Sequence, residues 1–216
     1  MRIGLLGGSF NPVHNAHLRI AAAAQLECQL DKVYFIPAAD PPHKLLAGDV
    51  SFEHRAKMVS MAIAGKPQFV ISAVEAERGG KSYSIDTIMT FREHFPEEEL
   101  FFIIGGDMFL AIGTWHRFED IFNSCNIIVV ERPGSPVRDP LYALPGAVSG
   151  SFRLDVSKGC LIHKSGNCVY FIDGTPMELS STEIRRLAAK NGDITNIVPP
   201  EIAAYISQQR IYNKCQ

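Results

Sequence analysis

Nowhere in its 216 residues does this chain approach the roughly 20 consecutive apolar positions that a membrane-spanning helix requires, so no membrane partner is expected. The stretch ahead of the first paired glycines, Met1-Arg2-Ile3-Gly4-Leu5-Leu6, is too short for a secretory leader and reads as a buried strand. Excess charge of one sign is also missing. The formal net charge is −2 and no basic stripe runs along the chain, which argues against a nucleic-acid partner. Cations that serve an anionic ligand must therefore be gathered locally. Cysteine is sparse: Cys28, Cys125, Cys160, Cys168 and Cys215 are odd in number, widely spread and without a C-x-x-C pair, as in a reduced, cytoplasmic protein. Cys160, His163 and Cys168 offer only three ligands at an unusual spacing, and Lys164-Ser165-Gly166-Asn167 between them reads as a turn joining two strands, so no protein-held metal is expected. Tryptophan occurs once, at Trp115.

What is present is an ordinary apolar content of 46%, arranged in short runs that alternate with helical patterns. Residues 2–6, 32–37, 69–74, 100–104 and 126–130 read as strands, apolar on both faces. Residues 17–28, 52–64, 84–94 and 117–123 read as helices between them. Repeated strand–helix–strand units predict an α/β fold: a Rossmann-like, doubly wound, mostly parallel sheet with helices on both faces. Ligands of such sheets bind beyond the carboxyl ends of the strands where chain order reverses, so the loops starting near Gly7 and Gly105 lead the search. One domain is expected over 1–216. Between about 133 and 167 the chain is rich in Pro, Gly and Ser, with only residues 151–156 and 159–163 resembling strands, and reads as an excursion from the sheet, serving as a lid or an oligomer contact. A strand at 169–172 and a small helical part, with helices starting at Ser181 and Pro200, complete it.

The densest signal is Gly7-Gly8-Ser9-Phe10-Asn11-Pro12-Val13-His14-Asn15-Ala16-His17. Gly7 and Gly8 lack a Cβ, so the backbone there is free to turn tightly and to approach a ligand. A helix starting near Ala16 would aim free N–H groups and its positive dipole end at an anion. His14 and His17 would reach the same phosphates, with imidazole donors suited to charge that builds during reaction. No Gly-Lys-Ser/Thr follows the glycines, and Gly4 and Gly7 lack the dinucleotide G-x-G-x-x-G spacing. A second anion site is expected at Ser180-Ser181-Thr182-Glu183-Ile184-Arg185. Ser180 and Glu183 have capping-box spacing, and Arg185 follows one turn in.

The first string resembles the G-G-x-F-x-P-x-H-x-G-H signature, and the second the I-S-S-T-x-I-R signature, of the cytidylyl- and adenylyltransferase superfamily. Ala16 stands where that signature has glycine. Within the superfamily the chain is most similar to the bacterial nicotinate-nucleotide adenylyltransferases. Pro41-Pro42-His43-Lys44, Ser82-Tyr83-Ser84-Ile85-Asp86-Thr87, Gly105-Gly106-Asp107, Trp115-His116-Arg117-Phe118 and Arg132-Pro133-Gly134 carry that likeness. Ala38-Ala39, where the family often has Asn, puts one substrate hydrogen bond in doubt, with backbone groups as the replacement.

The resemblance implies adenylyl transfer from ATP, carried with Mg2+, to nicotinate mononucleotide, with release of pyrophosphate. It implies His14, His17 and Arg185 as catalytic residues. The ATP site would use them with Gly7, Gly8, Ser9, Phe10, Gly105, Asp107, Ser180, Ser181 and Thr182. Lys44 and Arg132 would take the mononucleotide phosphate, Trp115 would stack on its pyridine ring, and Tyr83, Ser84 and Thr87 would line the same acceptor site. Nicotinamide mononucleotide or phosphopantetheine as acceptor, and a non-catalytic adenine-nucleotide sensor, are the other readings. A homo-oligomer is left open.

Overall fold

Apolar runs three to seven residues long, too short for a stable helix and bounded by turns, become strands around which everything else is placed. A computed structural model describes residues 1–41, 50–131, 137, 139–174 and 180–213. In chain order they form β1 (Arg2–Gly8), α1 (Asn15–Glu27), β2 (Lys32–Pro37), α2 (Phe52–Ala62), β3 (Phe69–Ile71), α3 (Val74–Arg78) and α4 (Ser84–His94). There follow β4 (Glu99–Gly105), α5 (Gly106–Leu110), a single 3-10 turn at Ile112–Thr114, α6 (Phe118–Ser124) and β5 (Asn126–Glu131). The last third holds α7 (Gly146–Ser149), β6 (Phe152–Asp155), β7 (Cys160–His163), β8 (Cys168–Asp173), α8 (Ser181–Ala189) and α9 (Pro200–Gln208).

The strands form one eight-stranded sheet in the order β3-β2-β1-β4-β5-β8-β7-β6. β1 with β4, β4 with β5 and β5 with β8 are parallel, with Leu5 opposite Phe102, Gly105 opposite Val130 and Glu131 opposite Asp173. Chain order reverses at the β1–β4 pair, which puts the loops after these strands where an α/β sheet holds its ligands. The Rossmann-like, mostly parallel architecture is therefore the observed one.

Two compact units divide the chain. The first contains residues 1–6, 20–33 and 83–176, and the second residues 7–19, 34–82 and 177–216. In the first, Phe101, Ile103, Ile127, Ile128 and Val129 are buried on the central strands, and α4 packs against β4 and α6. In the second, Phe10, Phe35, Met58, Val59 and Ile202 are buried, and α2 packs against β3 and α9. A fully buried side chain of this size contributes roughly 1.5–3 kcal/mol relative to exposure, so each unit has a core of its own.

Two expectations change. β3 stops at Ile71, and Val74 begins α3 instead of ending a strand. The Ser72 hydroxyl accepts from the Val74 N–H at 3.4 Å, and Glu75 and Glu77 occupy the first turn, which suits a helix start over β continuation. Within the expected 133–167 excursion, residues 152–155 and 160–163 belong to the sheet, because β7 pairs antiparallel with β8 and β6 with β7. An antiparallel strand needs only a short turn, so the two strand-like runs at 151–156 and 159–163 continue the sheet as a hairpin instead of leaving it. The Cys160–Cys168 segment is that hairpin: Cys160 lies opposite Tyr170 and Cys168 opposite Ile162. His163 bonds to the Ser165 hydroxyl at 2.9 Å and packs on Phe122 and Phe152.

Candidate active site

In the second unit the glycines stay in the strand and the turn falls on Phe10, whose φ of 43° is left-handed; the Asn11–Pro12 peptide is cis. The expected tight turn at Gly7 and Gly8 is thus displaced by two residues. Gly8 is needed for space: a Cβ there would lie 3.3 Å from the Phe10 ring. At Gly7 a Cβ would meet nothing within 4 Å, which leaves that backbone open to approach. Loop carbonyls are held from behind. The Arg55 guanidinium donates to Ser9 O at 2.8 Å, Arg185 Nη1 donates to Asn11 O at 2.8 Å and the Ser181 hydroxyl donates to Pro12 O at 3.2 Å. The Tyr212 hydroxyl donates to the buried Asn11 Oδ1 at 2.7 Å. With these acceptors satisfied by the protein, the face of the loop left to a ligand is poorer in negative ends.

His14 and His17 stack, ring centroids 3.7 Å apart, and Phe10 meets His17 edge-on at 5.0 Å. Burial pushes the His14 imidazole down to about 4. Burial first, and the neighbouring His14 second, hold His17 well below the usual imidazole value. Both rings are therefore neutral at pH 7. The His14 N–H donates to His17 Nδ1 at 3.2 Å, which assigns the His17 proton to Nε2 and makes that atom the donor. His14 Nδ1 is buried with no hydrogen-bond partner. The start of α1 offers fewer amides than expected, because Asn15 N–H is given to Ile197 O at 3.1 Å and His17 N–H to His14 O at 2.9 Å. Ala16 is already helical, a conformation that alanine favours over glycine.

α8 begins as expected, with Ser180 Oγ accepting from Glu183 N–H at 3.2 Å. The capping box closes only halfway, because the Glu183 carboxylate pairs with Arg186 instead of returning to Ser180. Arg185 Nη2 donates to Thr182 Oγ1 at 3.0 Å, so among the described residues two of its five N–H groups are engaged and three remain. Ala38 N–H goes to Gly8 O, and the Ala39 and Asp40 N–H groups both go to Ser82 Oγ at 3.0 Å. The backbone donors expected to replace the family's Asn near Ala38-Ala39 are thereby occupied.

In the first unit, β4 ends at Gly105 and α5 starts with Asp107 exposed in its first turn. A Cβ on Gly105 would lie 2.7 Å from Asp107 Oδ1, so the glycine admits that carboxylate. Trp115 is half-buried just after the 3-10 turn and meets Phe102 edge-on at 6.1 Å. Tyr83 lies 4.3 Å from the His116 ring, centroid to centroid. Tyr83 is the N-cap residue of α4 without a side-chain cap bond, and Ser84 is half-buried in the first turn. The Thr87 hydroxyl is turned to Tyr83 O at 3.4 Å and is buried, so it braces the helix start. Lys44 and Arg132 lie outside the described residues.

The cytidylyltransferase-like family model matches residues 5–187. A relative from Pelobacter propionicus, named "Probable nicotinate-nucleotide adenylyltransferase", is 56% identical over 215 residues, with 100% of both chains covered. One of the same name from Geobacter metallireducens is 50% identical over 98% of each chain. The chain belongs to the nicotinate-nucleotide adenylyltransferases.

Among solved structures, the Plasmodium falciparum nicotinic acid mononucleotide adenylyltransferase complexed with NaAD shares the fold. Its TM-score is 0.71 at 20% identity, covering 98% of this chain and 97% of that one. The same enzyme complexed with APC gives a TM-score of 0.72 at 19% identity.

Three residues that hold the loop after β1 were not singled out from sequence: Arg55, Asn11 and Tyr212. Arg55 carried a usable signal. It falls on the face of α2 shared by Met58, Val59 and Ala62, where an unburied arginine would not be placed, and it is only 1% exposed. Asn11 stands inside the first string and Tyr212 in the C-terminal segment, but the contact between them joins residues 201 apart and leaves no local pattern.

Proposed function

We infer that the chain transfers the adenylyl group of ATP to the phosphate of nicotinate mononucleotide, forming deamido-NAD and pyrophosphate, a step of NAD biosynthesis. A phosphate oxygen of the mononucleotide attacks the α-phosphorus of ATP in line. A new P–O bond forms there, and the bond from the α-phosphorus to the bridging oxygen of the leaving pyrophosphate breaks. The nucleophile is already an anion, so no general base is required, and catalysis rests on positioning and on charge stabilisation. The observation that carries this reading is the neutral, stacked His14–His17 pair with its Nε2 donor assigned on His17, beside a loop whose carbonyls are tied back.

His17 Nε2–H donates to triphosphate oxygens, and the His14 ring stacked on it faces the same phosphates. The three remaining N–H groups of Arg185 and the N-terminal turn of α8 with Ser180, Ser181 and Thr182 hold the phosphates further along. Gly7, Gly8, Ser9 and Phe10 form the floor of the same grip, while Gly105 and Asp107 meet the nucleotide sugar. Magnesium enters with ATP, and when bound it neutralises charge across the phosphates in a largely water-filled shell. Of the residues above, Asp107 is the exposed carboxylate suited to its water ligands. Trp115 stacks on the pyridine, and the uncapped amides at the start of α4, beside Tyr83 and Ser84, favour a carboxylate over a neutral amide. Lys44 and Arg132 serve the mononucleotide phosphate. The reaction takes place in the cytoplasm, in keeping with the free cysteines Cys28, Cys125, Cys160 and Cys168.

Pyrophosphate release from ATP and magnesium tests the reading, with nicotinate mononucleotide, its amide and phosphopantetheine offered in turn. The nicotinate compound is expected to give the highest kcat/KM. His17→Ala is expected to lower turnover by about two to three orders of magnitude. A preference for either other acceptor, or near-normal turnover in the variant, would overturn it.

A further inference from the structure

β6 stands last in the sheet order, and among the described residues no strand lies on its far side. Its hydrogen-bonding parity can be read from the hairpin. Lys164 N–H donates to Ser151 O at 2.9 Å, and the register places Phe152 opposite His163 and Leu154 opposite Leu161. Antiparallel pairs alternate, so the backbone groups of 151, 153 and 155 turn toward β7. Those of Phe152 and Leu154 turn outward, to the open edge. Side chains alternate across the two faces as well. Phe152 is half-buried against Phe122 and His163, whereas Leu154, on the same face, is 50% exposed and Val156 at the start of the turn is 83% exposed. Arg153 and Asp155 share the other face. Open edges are commonly guarded by charge, bulges or proline. Here the guard is one charge of each sign, two residues apart, and no proline stands between 152 and 155.

That spacing selects a partner. We propose that β6 is a docking edge for a second copy of this chain, the two β6 strands pairing antiparallel about a two-fold axis through Leu154. In this register Leu154 of each copy exchanges both backbone hydrogen bonds with Leu154 of the other, as its outward parity demands. Arg153 then lies directly opposite Asp155 of the other copy in the closer, non-hydrogen-bonded pair, twice over. The exposed Val156 lies opposite Phe152 of the other copy and continues the apolar face. A two-fold axis through Arg153 would face arginine with arginine, and one through Asp155 would face carboxylate with carboxylate. An axis through Phe152 would spend the edge on Gly150 and Ser151. Asp155 is prepared for the role, because its bonds to Ser157 and Lys158 all fall on Oδ1, leaving Oδ2 outside them. The surface is self-complementary, as a closed two-fold contact requires.

Sedimentation velocity of the full chain between roughly 10 and 500 μM, a span sensitive to dissociation constants up to about millimolar, tests this. The expected result is a reversible species of twice 23.8 kDa, weakened by added salt. Arg153→Glu sets like charges opposite each other and is expected to weaken self-association by roughly tenfold or more. Leu154→Pro removes an outward N–H and is expected to do the same while sparing the β7 ladder. Both variants are expected to keep the parent's adenylyl transfer rate, which reports that they are folded. Should Leu154→Pro lose that rate, Arg153→Glu alone decides. A chain that stays monomeric over the whole range, or a dimer indifferent to Arg153→Glu, would overturn the proposal.

Discussion

The finest control in this molecule is exerted on single carbonyl groups. Ser9, Asn11 and Pro12 each present a backbone oxygen that a side chain from α2 or α8 captures, and Phe10 between them takes the left-handed conformation. Arg55 is held for this at a cost, since burial depresses its guanidinium, which the Glu53 and Glu75 carboxylates counteract. Tyr212 supplies the last contact, and burial raises its phenol well above the usual value, so it stays a hydroxyl donor at any working pH. Tyr212→Phe deletes that donor and little else. It is expected to lower unfolding free energy by about 1–2 kcal/mol in a urea titration and to reduce kcat/KM for ATP several-fold. An unchanged urea midpoint together with unchanged kcat/KM would show that the phenol does not hold the loop.

At the level of elements, α8 shows how a helix end is divided between its own capping and the neighbouring loop. Ser180 caps it, while Ser181 and Arg185 reach back to the loop after β1. Ser180→Ala is expected to cost about 1 kcal/mol of stability, read in the same titration, and to raise the ATP KM by loosening the first turn. A change in KM without any change in stability would assign Ser180 to the ligand alone. The elements that composition made legible were β1, β2, β4 and β5, because strands buried on both faces are written as unbroken apolar runs. Val74 misled by its β-branched side chain, and Gly105-Gly106 concealed α5 because glycine argues for a turn. The candidate site divides the same way. His14, His17 and Arg185 stand in contiguous strings, whereas the Arg55–Ser9 contact joins residues 46 apart and the Tyr212–Asn11 contact residues 201 apart. Pairings at that distance leave no local periodicity to read.

For the whole molecule, the neutral histidines become a stability curve. His14 is 5% exposed, and its imidazole lies at about 4 when folded against 6.5 when free. His17 is lowered by burial and by His14, and His163 by burial and by Lys164. A lowered folded value means that the unfolded chain binds the protons more readily. The contribution is therefore fully present above pH 6.5 and lost as pH falls through the folded value. For His14 alone the loss amounts to about 3 kcal/mol by pH 4, a large share of the roughly 5–15 kcal/mol of a typical domain. Below that, the exposed carboxylates that are held low, among them Asp155, Glu183 and Asp193, add their own losses. Thermal unfolding of the ligand-free protein from pH 8 to pH 4.5 is expected to show a constant Tm above pH 7 and a steady fall below 6.5. His14→Gln is expected to flatten that fall whatever its effect on Tm at pH 8, because the measure is the slope and not the height. A parent Tm that is level down to pH 4.5, or a variant slope equal to the parent's, would mean that the His14–His17 stack is not carrying its protons as this structure requires.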